Sequence, residues 1–399
     1  MSRGAKRAQA KLVRAGFDEA GLGPTLGPLV VAGFATARRD DSASGSGSGL
    51  GADIRGGARG TGPVDDLRGP LAALVGEPGD RKGRLEVGDS KKIHTGTRKL
   101  ARVERTALAT VAWIHGRVPA TVAELLELVC ALDHEGPGDR RAPWWSAEAL
   151  DEALPIAHES EAIAALGEQL RALGESAGVE ALWYRADVIS AARVNRELAA
   201  EDELVGGSKN TWATHAVLRH AAGLVAGLDG ARPGTSPGTS PGSSAVIWCD
   251  KAGGRQAYVD PLRRAFPELA QAEEEQGAGS SGEGPLFSGK ARTSASLTTV
   301  EEVRARSHYA LTRPGMGAVD IGFVMGGDLI EPRISWASIL AKYLRELILR
   351  AFNRHFQAKI PGLRATAGYP QDARRFITEV EAALGPEGGL ERAAWVRSK

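Results

Sequence analysis

The sequence Leu-Val-Arg-Ala-Gly-Phe-Asp-Glu-Ala-Gly-Leu-Gly-Pro-Thr-Leu-Gly-Pro at residues 12–28 decides how the fold begins. It opens with apolar residues, becomes acidic at Asp18 and Glu19, and then carries several glycines and prolines. An apolar run, Leu29–Phe34, follows directly. Because glycine and proline interrupt regular structure, this order predicts a strand, a turn and a second, antiparallel strand.

The rest of the chain alternates between strand-like and helix-like patterns. Short apolar runs predict strands at Ala181–Ile189, Val246–Asp250 and Ala318–Met325. Apolar residues at helical spacing predict helices at Thr97–Val111, Thr211–Leu228, Ser335–Phe356 and Arg374–Leu384. This alternation predicts an α/β fold built on a mixed sheet.

The chain is predicted to form one domain, residues 1–399, interrupted by inserted segments. Glycine makes up 51 of the 399 residues, and that excess is expected in loops because glycine weakens helices and strands. The insertions are a disordered Gly/Ser-rich segment at 39–83, a helical insertion at 118–178, a linker loop at 229–244 and a polar loop at 271–298.

Charge, hydropathy and cysteine content limit the class of protein. Lys and Arg total 50 against 49 Asp and Glu, so nucleic-acid binding would need a local basic patch rather than a basic chain. No apolar run approaches the roughly 20 residues of a membrane span. Cys130 and Cys249 lie in apolar surroundings, which predicts buried thiols in a reducing compartment and a cytoplasmic protein.

Carboxylates stand where strands are predicted to end. Asp18 and Glu19 close the first strand and Asp250 closes a buried one, so Asp18 and Asp250 are expected to be neighbours if their strands are adjacent and parallel. Clustered carboxylates need a counter-ion, and Mg²⁺ or Mn²⁺ prefers oxygen ligands. Two such ions suit phosphodiester hydrolysis. Since successive strand residues face opposite sides, Asp18 and Glu19 should converge only where the strand ends or bulges.

Five motifs occur in an order that resembles the type 2 ribonucleases H (ribonuclease HII). They are Phe17–Pro28, Gly88–Lys92, Asp250 with Gly253, Gly254 and Tyr258, Ala337–Glu346, and Gly368–Pro370. The resemblance implies a ribonuclease-H-like mixed five-stranded sheet flanked by helices, with C-terminal helices and large insertions. It also implies a monomeric endonuclease acting on RNA–DNA hybrids or on ribonucleotides embedded in duplex DNA.

The same resemblance implies a role for each motif residue. The catalytic and metal-binding acids would be Asp18, Glu19, Asp250 and Glu346, holding two Mg²⁺ or Mn²⁺ ions. The backbone of Gly21, Leu22 and Gly23 would recognise the ribose 2′-hydroxyl of the substrate. Ser90 and Lys91 would hold its phosphates. Tyr369 would stack on one of its sugars.

Two positions depart from the family pattern, and they leave alternatives open. Leu22 stands where the family usually has Arg, and Glu346 where it usually has Asp. Glu346 also forms an i, i+4 charged stripe with Lys342 and Arg350, typical of a solvated helix face. One alternative is therefore a non-cleaving nucleic-acid-binding relative. Another is a nuclease for branched DNA, which the Gly-Leu-Gly and Gly-Tyr-Pro motifs disfavour.

Overall fold

A seven-stranded mixed sheet forms the centre of the computed structural model. The structure describes residues 11–42, 67–80, 82–130, 139–205, 208–228, 243–251, 255–269, 295–313, 317–385 and 390–398. The strands of the sheet are β1 (Lys11–Ala20), β2 (Leu29–Ser42), β5 (Val179–Ile189), β6 (Ser244–Asp250), β7 (Ser296–Glu302), β8 (Arg306–Thr312) and β9 (Val319–Val324). Two short strands, β3 (Val75–Gly76) and β4 (Leu85–Glu86), pair separately.

The α/β fold class and the mixed sheet are confirmed, but the expected count of five strands is wrong. The order across the sheet is β5-β2-β1-β6-β9-β8-β7, and the hairpin β7–β8 accounts for the strands that the sequence did not reveal. Strand β7 lies at the edge and most of its residues are exposed or half-buried. A strand that buries so little carries no apolar periodicity, so its sequence resembles a polar loop.

Three central strands run in the same direction. Strand β1 pairs in parallel with β6, and β6 pairs in parallel with β9, whereas every other pairing within the sheet is antiparallel. Both β6 and β9 are almost wholly buried, as expected for strands covered on both faces. The carboxyl ends of β1, β6 and β9 therefore meet at one edge of the sheet.

Helices cover both faces of the sheet. They are α1 (Ser90–Ile93), α2 (Lys99–His115), α3 (Val122–Val129), α4 (Ala147–Leu150), α5 (Ser160–Ser176), α6 (Ala191–Val205), α7 (Lys209–Leu228), α8 (Val259–Ala265), α9 (Gly327–Ile330), α10 (Pro332–Lys359) and α11 (Pro370–Leu384). No described helix is both long enough and apolar enough to cross a membrane.

Helix α10 crosses directly over β1. Its first turn is capped by the Glu331 carboxylate, which accepts from the backbone N–H of Arg333, and Pro332 suits a first turn that needs no donor there. A side chain at Gly16 of β1 would collide with the backbone of Arg333 and Ile334. Glycine at this position therefore brings the helix onto the strand that carries Asp18. The opposite face of the sheet packs against α7 and α8.

The inserted segments are only partly described. Of 39–83, residues 43–66 and 81 lie outside the described part, while Leu67, Leu71 and Val75 are buried in the core, so the end of this segment is packed rather than disordered. Residues 118–178 contain α3, α4 and α5. Of the segments 229–244 and 271–298, only residues 243–244 and 295–298 are described. Neither cysteine forms a disulfide, and both are buried.

Candidate active site

Asp18 and Asp250 lie side by side at the carboxyl ends of two parallel strands. The register pairs Phe17 of β1 with Cys249 of β6, so the next residue on each strand is the aspartate. Neighbouring strands lie about 4.8 Å apart, and residues in register point to the same face. The structure therefore brings these two predicted residues together on the face covered by α10, where Lys342 and Ser338 of that helix interact with Asp18.

Glu19 lies at the same edge as the other acids, but without the strand end or bulge that was expected between it and Asp18. Strand β1 continues to Ala20, and its pairing with β2 is regular from Val13 onward, so no bulge separates Asp18 from Glu19. Their side chains start on opposite faces. The last β1–β6 pair is Phe17 with Cys249, which places Glu19 at the open edge of the sheet, and it borders a small cavity together with Asp250.

Asp328 is an acid at this edge that the sequence analysis missed. It lies in α9, just after the third parallel strand, β9, and its carboxylate accepts hydrogen bonds from the Ser90 N–H at 3.0 Å and the Ser90 hydroxyl at 2.8 Å. The neighbouring Gly327 N–H donates to Asp250 at 2.7 Å. The signal was present in the sequence, because an acid shortly after a buried strand is the pattern that singled out Asp250.

The acids at this edge repel one another. Burial raises the pKa of Asp18 to about 6, with Lys342 opposing and Asp250 adding to the rise. Burial, then the charges on Asp18 and Asp250, raise the pKa of Glu19 to about 8. Burial also raises the pKa of Asp250, against the Gly327 hydrogen bond, and the charge on Asp328 contributes. The cluster therefore holds more negative charge than its surroundings neutralise.

The motif Gly88–Lys92 is fixed against one face of α10. Ser335 accepts from the Gly88 N–H and donates to the Gly88 carbonyl, both at 2.7 Å. Lys342 donates to the hydroxyls of Ser90 at 2.9 Å and Ser338 at 2.6 Å. Spacings of three and four residues put Ser335, Ser338 and Lys342 on one helix face. Ser90 is thereby buried beside the acids, while Lys91 is exposed and its charge acts on Asp250.

The loop Gly21–Gly23 leaves the same edge of the sheet. Gly21 has a φ of +97°, and a side chain there would collide with the Pro28 carbonyl and with Arg345, so only glycine suits the position. Leu22 packs partly against the core beneath α7. Gly23 is exposed, with nothing within 4 Å of the place a side chain would occupy, so its backbone is open to a ligand.

Tyr369 stands next to this loop. Its side chain is 57% exposed, and the Arg345 guanidinium lies 5.9 Å from the ring centre. The Gly368 carbonyl accepts from the Thr25 N–H at 2.7 Å, which ties the segment before Tyr369 to the loop after β1. An exposed, positioned aromatic ring beside the loop that follows β1 is suited to stacking on part of a substrate.

Glu346 has a different environment from the other predicted acids. One of its carboxylate oxygens lies 3.1 Å from Lys99 Nζ and 3.1 Å from His94 Nε2. Burial opposes the charged form, but His94 and Lys99 together lower the pKa of Glu346 to about 2. The structure therefore pairs this carboxylate with the Lys99 ammonium and the His94 imidazole, rather than grouping it with Asp18, Glu19 and Asp250.

The acids at the sheet edge fit a divalent metal by chemistry. Their donors are all carboxylate oxygens, the type that Mg²⁺ and Mn²⁺ prefer, and a cation would relieve the repulsion that raises their pKa values. Within the described residues, no three His, Cys, Asp or Glu side chains already surround a single point at metal-binding distances. The described residues thus supply the negative charge that a metal ion needs, but their side chains are not already arranged around one metal position.

Comparisons with known proteins find weak structural likenesses. No family model matches the sequence, and no curated protein matches it. A point mutant of Bst-RNase HIII aligns at 13% identity and a TM-score of 0.38, covering 98% of this chain and 66% of that one. RNase HII, in its PCNA complex from Archaeoglobus fulgidus, aligns at 14% identity and a TM-score of 0.32, covering 97% of this chain and 97% of that one.

Bst-RNase HIII in complex with Mn²⁺ gives 11% identity and a TM-score of 0.32, covering 98% of this chain and 67% of that one. This chain thus spans about two thirds of the length of the RNase HIII structures. The likenesses are weak in both identity and superposition, so the case for function rests on the geometry of the site.

Proposed function

We propose that this chain is a metal-dependent endonuclease of the ribonuclease H type. Its substrates would be RNA–DNA hybrids or duplex DNA that contains ribonucleotides. The observation that carries the proposal is the meeting of Asp18, Asp250 and Asp328 at the carboxyl ends of three parallel strands, with Glu19 at the same edge. Such an edge is where α/β sheets place their ligands, and uncompensated carboxylates there suit metal-assisted hydrolysis.

The acids Asp18, Glu19 and Asp250 would hold Mg²⁺ or Mn²⁺, with Asp328 as the fourth ligand. When bound, such ions supply an activated water and neutralise charge on the phosphate. Asp328 is preferred as the fourth acid because its charge acts on Asp250, whereas the carboxylate of Glu346 already forms an ion pair with Lys99 and lies beside His94. The assignment of Glu346 from family resemblance is the competing prediction.

The polar residues around the acids would position the substrate. Lys342 and Ser338 hold Ser90 in place, and the exposed Lys91 would contact a backbone phosphate. The open backbone at Gly23 is suited to the 2′-hydroxyl, which distinguishes RNA from DNA. Tyr369 would stack against the sugar next to the scissile bond. These roles require a duplex to lie across the sheet edge from Lys91 to Tyr369.

A cleavage assay on three labelled duplexes tests the proposal. One contains a single ribonucleotide, one is an RNA–DNA hybrid and one is all DNA. With Mg²⁺ or Mn²⁺ we expect cuts in at least one of the first two and none in the third. The Asp250→Asn variant should abolish cutting, whereas Asp151→Asn, a matched change at an exposed residue in the helical insertion, should preserve it. Binding without cleavage would instead identify a non-cleaving relative.

A further inference from the structure

A cavity of about 540 Å³ lies beside the loop that follows β1. Its wall is formed by Thr25 from that loop, by Pro370 and Arg374 of α11, and by Arg392 and Arg397 near the C-terminus. None of the described residues that line it is acidic. Three arginines thus border the cavity, and Arg392 is the one already paired, with Glu381 of α11.

Arg397 forms the buried part of this wall. The residue is only 2% exposed, and its Nη2 donates to the carbonyls of Gly21, at 2.6 Å, and of Pro24. Its Nε and Nη1 are buried and make no hydrogen bond within the described part of the chain. A buried donor without an acceptor is unfavourable, and Arg397 borders the cavity, so an anion bound there would lie next to the charge of this guanidinium.

Further cations surround Arg397. Burial and the charge of Arg345 lower the pKa of Arg397 to about 9. Burial and the charge of Arg397 likewise lower the pKa of Lys209 to about 8. Arg345 is 5% exposed, and its Nε is also a buried donor that lacks a partner in the described structure. Like charges held this close favour a bound anion.

The wall of the cavity is held in place from two sides. The Asn195 side chain donates to the carbonyls of Ala393 and Val396 at 2.9 Å and accepts from the Ser398 N–H at 2.6 Å. The Arg397 N–H donates to the Thr25 carbonyl at 3.0 Å. Because these bonds fix the C-terminal segment against α6 and the loop, a ligand would meet a cavity that is already formed.

We infer that this cavity binds one backbone phosphate of the duplex whose strand passes Tyr369. The inference rests on the proposed function and names a contact that lies beyond the reacting bond. A phosphodiester only accepts hydrogen bonds and matches the planar fork of arginine. Pro370 joins the cavity wall to Tyr369, so a strand that stacks there continues toward the cavity. Such a contact positions a duplex without recognising its sequence.

Arg374 is the residue to change in testing this site. It is exposed at the rim of the cavity, whereas Arg397 also holds the loop after β1, so a change at Arg397 would alter two features at once. Lys359→Gln is the matched control, because it removes one exposed positive charge at the far end of α10. Both variants should melt at the temperature of the parent protein.

Fluorescence anisotropy with the ribonucleotide-containing duplex in EDTA, over a range of salt concentrations, measures the contact. For Arg374→Gln we expect roughly three- to tenfold weaker binding and a salt slope smaller by about 1, the loss of one phosphate contact. Lys359→Gln should leave affinity and slope unchanged. Titration with inorganic phosphate at constant ionic strength distinguishes a backbone phosphate from a free one.

The outcomes separate this inference from the proposed function. A smaller slope for Arg374→Gln alone supports the phosphate site, whether or not the parent protein cleaves. Equal slopes for all three proteins overturn the site, and the proposed nuclease survives if the parent cleaves. If the variant loses affinity for inorganic phosphate but keeps the duplex slope, the cavity serves a free phosphate compound and the inference is wrong.

Discussion

The acids at the sheet edge and Glu346 of α10 have their charges compensated in opposite ways. At the sheet edge, burial first and then the neighbouring acids raise the pKa values of Asp18 and Glu19 to about 6 and about 8. One turn beyond Lys342 along α10, Glu346 meets Lys99 and His94, and its pKa falls to about 2. Burial raises the pKa in both places; at Glu346 the attraction of His94 and Lys99 exceeds that rise, whereas at Asp18 and Glu19 the charge of Lys342 does not.

This difference indicates where a metal ion would bind. A carboxylate that already has cationic partners gains little from a divalent ion, because those partners would have to be displaced. Acids that repel one another gain the most, since a cation removes the repulsion and replaces lost hydration. The comparison therefore separates a candidate metal site from a structural ion pair, although the family resemblance groups Glu346 with the other acids as metal ligands.

Replacing Asp18 with Asn should have the largest effect on activity. The change removes a ligand charge, and several kcal/mol of lost metal assistance corresponds to a rate loss of about 10²–10³-fold or more. The melting temperature without metal should stay level or rise, because the substitution relieves repulsion. Cleavage rates and thermal unfolding in EDTA measure the two effects. Retained activity would remove Asp18 from the mechanism.

Replacing Asp328 with Asn should cost less, roughly 10–100-fold in rate, as expected for an acid at the margin of a metal site. The amide retains the size of the side chain and can still accept from Ser90, so the fold should be preserved. Glu346→Gln, assayed in parallel, should change the rate little. The reverse ranking of the two variants would return the fourth ligand position to Glu346.

The two groups should also respond oppositely to pH in metal-free buffer. Asp18 and Glu19 have ordinary values of 3.8 and 4.5 but hold their protons to about 6 and about 8 when folded. As pH rises, the unfolded chain therefore releases these protons at a lower pH than the folded chain does. The free energy of unfolding should decline from about pH 4 to about pH 8. Glu19→Gln, or added Mn²⁺, should flatten that decline in melting temperature. Unchanged profiles would mean that the repulsion is absent.

The smallest expected effect concerns the stability of Glu346→Gln. The pKa of Glu346 is lowered from 4.5 to about 2, so its stabilisation is complete above pH 4.5 and disappears as pH falls toward 2. Lys99 is partly exposed to solvent, which limits the loss at neutral pH to about 1 kcal/mol. Chemical denaturation at pH 7 and pH 3 measures this, and a loss that is equal at both pH values would exclude the ion pair as its cause.

The sequence alone determined the order of the central elements and the positions of two acids. The glycines and prolines of Gly21–Pro28 predicted the turn after the first strand. The apolar runs at β6 and β9 predicted these two strands within a few residues, because a strand buried on both faces is apolar throughout. The same logic placed Asp18 and Asp250 at strand ends. It would also have placed Asp328, which follows β9 just as Asp250 closes β6.

Only the tertiary structure decided the remaining features. The sequence could not show that β7 and β8 complete a seven-stranded sheet, because the edge strand β7 is exposed and lacks apolar periodicity, and β8 begins with the buried polar residues Arg306, Ser307 and His308. It could not show which side of α10 Glu346 faces, because helix rotation is set by packing against Lys99 and His94 on segments far away in the chain. The cavity beside the loop after β1 likewise joins Thr25, Arg374 and Arg397, and only folding brings such distant residues together.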